Sequence, residues 1–138
     1  MSHYSRVTTK IVRRDLLIKA LNDMGYGVVE QHDQPQPLVG YRGDQRADRA
    51  HIIVRRQHIS YYSNDLGFLQ MPDGTFQAII SDYDKRHFFP ETWLHRLMQA
   101  YSGHVVADQM EAQGFVLDQE YRENGTIRRT YKKARGYA

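Results

Sequence analysis

No cysteine occurs among the 138 residues. A disulfide framework, a thiol nucleophile and a thiolate metal site are therefore excluded, and a reducing compartment is the expected setting. Long apolar runs are missing as well, and none approaches the roughly 18 residues that cross a bilayer as a helix. The opening stretch Met1-Ser2-His3-Tyr4-Ser5-Arg6 lacks the apolar segment of a secretory signal, so the expected location is cytoplasmic. What remains is ordinary for a folded protein: 41% apolar and 25% charged residues, enough apolar side chain to bury a core. The length fits one domain, assigned to 1–134, with 135–138 expected as a frayed tail.

The net charge of +3 hides a pattern. Residues 1–56 carry ten Lys/Arg against six Asp/Glu, 57–118 three against eight, and 119–138 six against two, giving +4, −5 and +4. Two basic ends flanking an acidic middle favour oriented docking on an acidic partner or a nucleic acid. Solvation of exposed faces would give the same counts.

Hydrophobic period and turn chemistry divide the chain. Tyr4–Val12 is rich in β-branched residues and reads as a strand. A helix follows, with Asp15 near its positive end and Leu16, Leu17, Ala20, Leu21 and Met24 on one stripe, stopped at Gly25. Tyr26–Gln31 reads as a strand, and His32–Leu38, with Pro35 and Pro37, as a loop. Ala50–Arg56 is a strand that His58–Tyr62 continues after a break. Gly67–Met71 and Thr75–Asp82 flank the turn Pro72-Asp73-Gly74. Pro90 opens a second helix of about 35 Å, with Leu94, Leu97, Met98, Tyr101, Val105 and Ala112 along its apolar side and Gly103 as a weak point. Phe115–Tyr121 and Thr126–Lys133 close the chain as a hairpin around Asn124-Gly125. No strand–helix alternation builds a parallel sheet here. The expected fold is α+β, a two-layer sandwich with two amphipathic helices on one face of a mostly antiparallel sheet.

Several blocks occur together in order: Met1-Ser2-His3-Tyr4-Ser5, Ala20-Leu21-Asn22-Asp23-Met24-Gly25, Gly40-Tyr41-Arg42-Gly43, Asp65-Leu66-Gly67-Phe68, Leu97-Met98-Gln99-Ala100-Tyr101 leading to His104, and Gly114-Phe115. Across nearly its whole length the chain resembles the family called hypothetical chloroplast open reading frame thirty-five, of cyanobacteria and algal plastids, with other bacterial relatives. That family has no established reaction, so the resemblance implies no catalytic residue. It implies a protein of cytoplasm or plastid stroma, and an accessory role near ring-forming ATPases. The chain departs from the family pattern in its basic, tyrosine-containing segment after Thr130, its prolines in Asp33–Leu38 and its charged Asp82–Arg86.

No residue pattern argues for catalysis. His95 and His104 lie half a turn out of alignment on one helix and cannot share a metal ion, and no ligand spacing of a zinc site occurs. No metal and no cofactor are expected. His104, near Tyr101 on the apolar side, reads either as a buried hydrogen-bonding hub reaching Tyr4 or Ser5, or as a ligand group. The Gly40–Gly43 loop with Tyr41, Arg42 and Arg46 suits phosphate or carboxylate binding, but an ordinary turn with a packed tyrosine explains it as well. Asp82, Asp84 and Glu91 beside Lys85, Arg86 and His87 read as a solvated connection. Arg122, Arg128, Arg129, Lys132 and Lys133, with Tyr131 among them, could track a phosphate backbone and stack on bases. Alternation splits them, with Arg129 and Tyr131 on one face and Arg128 and Lys132 on the other. The leading expectation is a non-catalytic adaptor that binds another protein. Binding of RNA or single-stranded nucleic acid through the closing hairpin, with the basic segment Arg42–Arg49 read as a loop beside it, is the alternative, and a phosphate-bearing ligand at the Gly40–Gly43 loop is the third.

Overall fold

Strand pairing in the structure, a computed structural model describing residues 3–134, follows the expected antiparallel pattern throughout. The expected frayed tail lies outside the described residues. Five strands form the main sheet: β1 (Tyr4–Thr8), β2 (Glu30–Val39), β3 (Gln45–Val54), β4 (Leu66–Gln70) and β5 (Phe76–Ser81). Their order across the sheet is β1-β5-β4-β3-β2. Helices α1 (Arg14–Asp23) and α3 (Glu91–Ala112) cover one face, and a short α2 (Asp82–His87) precedes α3. The α+β two-layer sandwich is therefore the fold.

Alternation sorts the sheet residues between faces. Ile52 and Val54 of β3, Phe68 of β4, and Phe76, Ala78 and Ile80 of β5 meet Leu16, Leu17, Ala20 and Leu21 of α1 and Trp93, Leu97 and Tyr101 of α3. Trp93, Leu97 and Tyr101 follow one another at four-residue steps, the spacing of one helix face. Ala112, expected on that stripe, is exposed because the last turns of α3 run beyond this core. On the opposite face Ile53 and Ile79 pack with Leu38 and Ala50. Gly67 lies beneath these two: a Cβ there would stand 2.6 Å from Ala50 Cβ and 3.0 Å from a Leu38 methyl. The far end of the β2–β3 hairpin thus closes over the back of β4.

Five expectations need correction. Tyr26–Gln31 is not a strand of its own, since β2 begins at Glu30 and Tyr26–Val29 lie outside any strand. The Pro35–Pro37 segment is not a loop but part of β2, an edge strand, where a missing N–H is tolerated. Its pairing with β3 shifts register between Gln31 and Gln36 and again between Pro37 and Val39, so the prolines sit at irregularities of the ladder. Residues Gln45–Arg49 belong to β3 rather than to a loop. His58–Tyr62 does not continue a strand, since Arg56–His58 form a 3-10 turn. Asp82–His87 is a helix and not a solvated connection, capped by Ser81, whose Oγ accepts the Asp84 N–H at 3.1 Å.

Both glycine turns form as expected. Gly74 has φ +90°, and Asp73 Oδ1 accepts the Thr75 N–H at 2.9 Å. Asn124 and Gly125 both have positive φ, as a two-residue hairpin turn requires. The hairpin they close, β6 (Phe115–Glu123) with β7 (Thr126–Lys133), does not join the main sheet. It runs along α3, fastened to it at two levels. Gln99 Nε2 donates to Gly125 O at 3.3 Å near the tip and Arg129 lies against Gly103, while Ala134 N donates to Gly114 O at 2.7 Å and closes the hairpin's own base. Gly103 is therefore a contact position: a Cβ there would stand 2.5 Å from Arg129 Nη2. In Gly103→Ala the guanidinium must swing away, while the helix gains about 1 kcal/mol of propensity. Global stability is expected to change little, and amide exchange in β6–β7 to quicken by roughly fivefold through local opening. Unchanged exchange would show that Arg129 does not hold the hairpin.

Candidate functional site

Two loops at one end of the sheet, 40–43 and 56–64, are built on a buried carboxylate. Asp65, wholly buried at the start of β4, accepts the Val39 N–H at 2.7 Å and Arg55 Nη1 at 2.8 Å on Oδ2, and the Arg56 N–H at 2.8 Å on Oδ1. Its backbone N–H donates to Val39 O, and its carbonyl accepts the Tyr4 hydroxyl at 2.8 Å. Burial, with the Asp65 and Asp84 charges close by, pushes the Tyr4 hydroxyl far above its usual range, so it remains a donor. Arg55 also forks onto Glu30, with Nε to Oε2 at 2.7 Å and Nη2 to Oε1 at 2.9 Å. Hydrogen bonding to that guanidinium holds the Glu30 carboxyl below the usual range, against the opposing effect of burial.

The 56–64 loop is fastened from within. Arg56 donates from Nε to Ser63 O at 3.1 Å and from Nη2 to Tyr61 O at 2.8 Å, and Ser63 Oγ accepts the Ser60 N–H. Asn64 ties it to three neighbours. Its N–H donates to Asp84 Oδ2 at 3.0 Å, its Nδ2 donates to Ser81 Oγ at 2.9 Å, and its Oδ1 accepts the Tyr41 N–H at 3.0 Å. The loop backbone is thus braced while its tip projects. Tyr61 and Tyr62 are 80% and 61% exposed, with rings edge to face at 5.0 Å. On the adjoining loop Arg42 lies over the Tyr41 ring at 5.4 Å and donates from Nε to its hydroxyl at 2.8 Å. Aromatic rings and a guanidinium on a fixed backbone can stack, cover apolar surface and donate hydrogen bonds.

The residues singled out from sequence fall in separate places. Tyr41 and Arg42 belong to this surface, whereas the Arg46 side chain turns inward, 3.1 Å from Asp44 Oδ2 and over the Tyr4 ring. Tyr101 is buried on α3, where its hydroxyl accepts the Val12 and Arg13 N–H groups at 3.1 Å each, ahead of the first turn of α1. His104 does not reach Tyr4 or Ser5. Its Nε2 lies 2.6 Å from Asp23 Oδ2, because α3 packs beside α1, and Ser5 donates instead to Asp82 Oδ1. On the closing hairpin Arg129 and Tyr131 face inward and Arg128 and Lys132 outward. Arg129 Nε lies 3.6 Å from Glu120, and Lys132 Nζ lies 3.4 Å from Asp118. Arg122 and Lys133 are exposed. Sequence reasoning missed Tyr61 and Tyr62. Their signal is two adjacent tyrosines flanked by Ser60 and Ser63, outside any periodic apolar segment. No helix among the described residues is long and apolar enough to cross a membrane.

Residues 20–130 match the family model described as "Protein of unknown function (DUF1257)". The chain is also 29% identical over 131 residues to "Uncharacterized protein ycf35" of Cyanophora paradoxa, an alignment covering 93% of this chain and 94% of that protein. No solved structure matches at a significant level.

Proposed function

The chain belongs to that family of unknown function, and from this premise we propose that it is a non-catalytic adaptor, binding another protein through the 40–43 and 56–64 loops. The observation that carries this reading is the exposure of Tyr61 and Tyr62 on a backbone braced by Arg56, Ser63 and Asn64. Tyrosine and arginine dominate the energetic centres of protein interfaces. A loop ordered before binding loses little further entropy when a partner closes on it. The family resemblance makes a ring-forming ATPase of the cytoplasm or plastid stroma the first partner to try.

The test is affinity capture from native lysate by three purified forms: the parent chain, Tyr61→Ser/Tyr62→Ser, and a hairpin variant with Arg128, Arg129, Lys132 and Lys133 changed to Gln. A protein retained by the parent and the hairpin variant but reduced at least tenfold with the tyrosine variant supports the proposal, since two lost anchors cost more than about 1.4 kcal/mol. Equal capture by all three overturns it. Retention of nucleic acid by the parent and its loss from the hairpin variant, read from absorbance at 260 nm, would favour the alternative instead.

A further inference from the structure

A cleft of about 950 Å³ opens between α3 and the β6–β7 hairpin, away from the paired loops. Trp93, Phe88, Met24 and Tyr26 supply an apolar side, with the Tyr26 and Trp93 rings edge to face at 6.2 Å. The polar lining is unevenly satisfied. Of its three carboxylates, Asp23 already meets His104 and Glu120 meets Arg129, leaving Glu111. Arg96 of α3 and Arg122 of β6, both exposed, form no ion pair or hydrogen bond among the described residues. Tyr131, on the hairpin side, has a buried hydroxyl with no hydrogen-bond partner. A buried hydroxyl without a partner and two guanidinium groups without a carboxylate suit an anion that carries a flat apolar body.

We propose that the cleft binds a small aromatic anion, its ring against the half-buried Tyr26 and Phe88, beside Trp93, and its phosphate or carboxylate toward Arg96 and Arg122. The size suits this, since ligand sites commonly measure about 300–1,000 Å³. The arginines offer planar forks that match either anion. The His104–Asp23 pair closes one side of the cleft by joining α3 to α1.

Trp93 is the chain's single tryptophan, so its emission reports the cleft directly. The probes are ADP as the aromatic phosphate, 4-hydroxybenzoate as the aromatic carboxylate, and adenosine and inorganic phosphate as the separated halves. Saturable change in Trp93 emission with ADP or 4-hydroxybenzoate, at least tenfold weaker with either half alone and at least tenfold weaker in Arg96→Gln/Arg122→Gln, supports the proposal. The responding anion identifies which source is preferred. Amide shifts of the parent chain at residues 93, 96, 122 and 131 give a second reading that needs no variant. No saturable response to either aromatic anion in the millimolar range overturns the proposal. So does a response to adenosine equal to that of ADP, or an undiminished response in the double variant.

Discussion

Alanine in place of Asp65 is expected to remove about 3–5 kcal/mol of stability, the cost of breaking a buried charged pair from one side. The carboxylate is wholly buried and serves three donors at 2.7–2.8 Å: the Val39 N–H, the Arg56 N–H and the Arg55 guanidinium. Arg55 keeps its fork on Glu30, which places the loss from that group at the lower end of the range. The two amides lose their acceptor as well, which offsets that saving and holds the total at about 4 kcal/mol. With a denaturant slope of about 2 kcal/mol/M, the urea midpoint should fall by roughly 2 M. Asn at this position keeps the shape but turns an NH2 toward one set of donors, so its loss should be intermediate. Any binding through the proposed 40–43 and 56–64 surface should weaken beyond the stability effect, because Asp65 anchors the amide at which the 56–64 loop begins. An alanine variant within 1 kcal/mol of the parent would show that the loops are not built on this carboxylate.

The parts of the fold legible in sequence were those decided within a few residues. Pro72-Asp73-Gly74 and Asn124-Gly125 each carry their own dihedral preferences, and both turns formed where expected. The α1 stripe ended at Gly25, whose φ of +101° is costly for other residues. Non-local placement decided the rest. Two prolines argue against a strand unless it lies at an edge, and only the finished order of the sheet places β2 there. The segment Asp82–His87 looks solvated because it is nearly all polar. Asp84 is buried because Asn64, twenty residues earlier, brings an N–H to its carboxylate. Periodicity cannot report a hydrogen bond between distant loops. The candidate site shared this limit: Tyr41 and Arg42 stood out beside their glycines, whereas Tyr61 and Tyr62 gain meaning only from the braces beneath them. Asp65 was visible solely as part of a block shared with a family, which marks the position without giving its chemistry.

Stability should also fall as the pH rises from about 4 to about 6, and Asp84 is the cause. Burial pushes its carboxyl from the ordinary 3.8 up to about 6, opposed by hydrogen bonds from Asn64 and Ser81 and assisted by the nearby Asp65 charge. Its Oδ1 is buried without a hydrogen-bond partner, so little compensates ionisation on that side. In the unfolded chain the proton leaves near 3.8, while in the folded chain it stays until about 6. Between those values the folded state binds more protons than the unfolded state, so raising the pH destabilises it. A separation of about two pH units is worth about 3 kcal/mol, fully imposed at neutral pH and absent below about pH 4. Asp84→Asn cannot ionise and keeps an oxygen for the Asn64 N–H. The variant should therefore match the parent near pH 4 and exceed it by up to about 3 kcal/mol at pH 7.5. Glu30, Asp15 and Asp44, whose carboxyls are held below their usual range, act in the opposite direction and lose their contribution as the pH falls. They are common to both proteins, so the difference between two urea titration series at pH 4.0, 5.0, 6.0 and 7.5 isolates position 84. A difference that stays flat across those four values would remove Asp84 as the origin of the pH dependence.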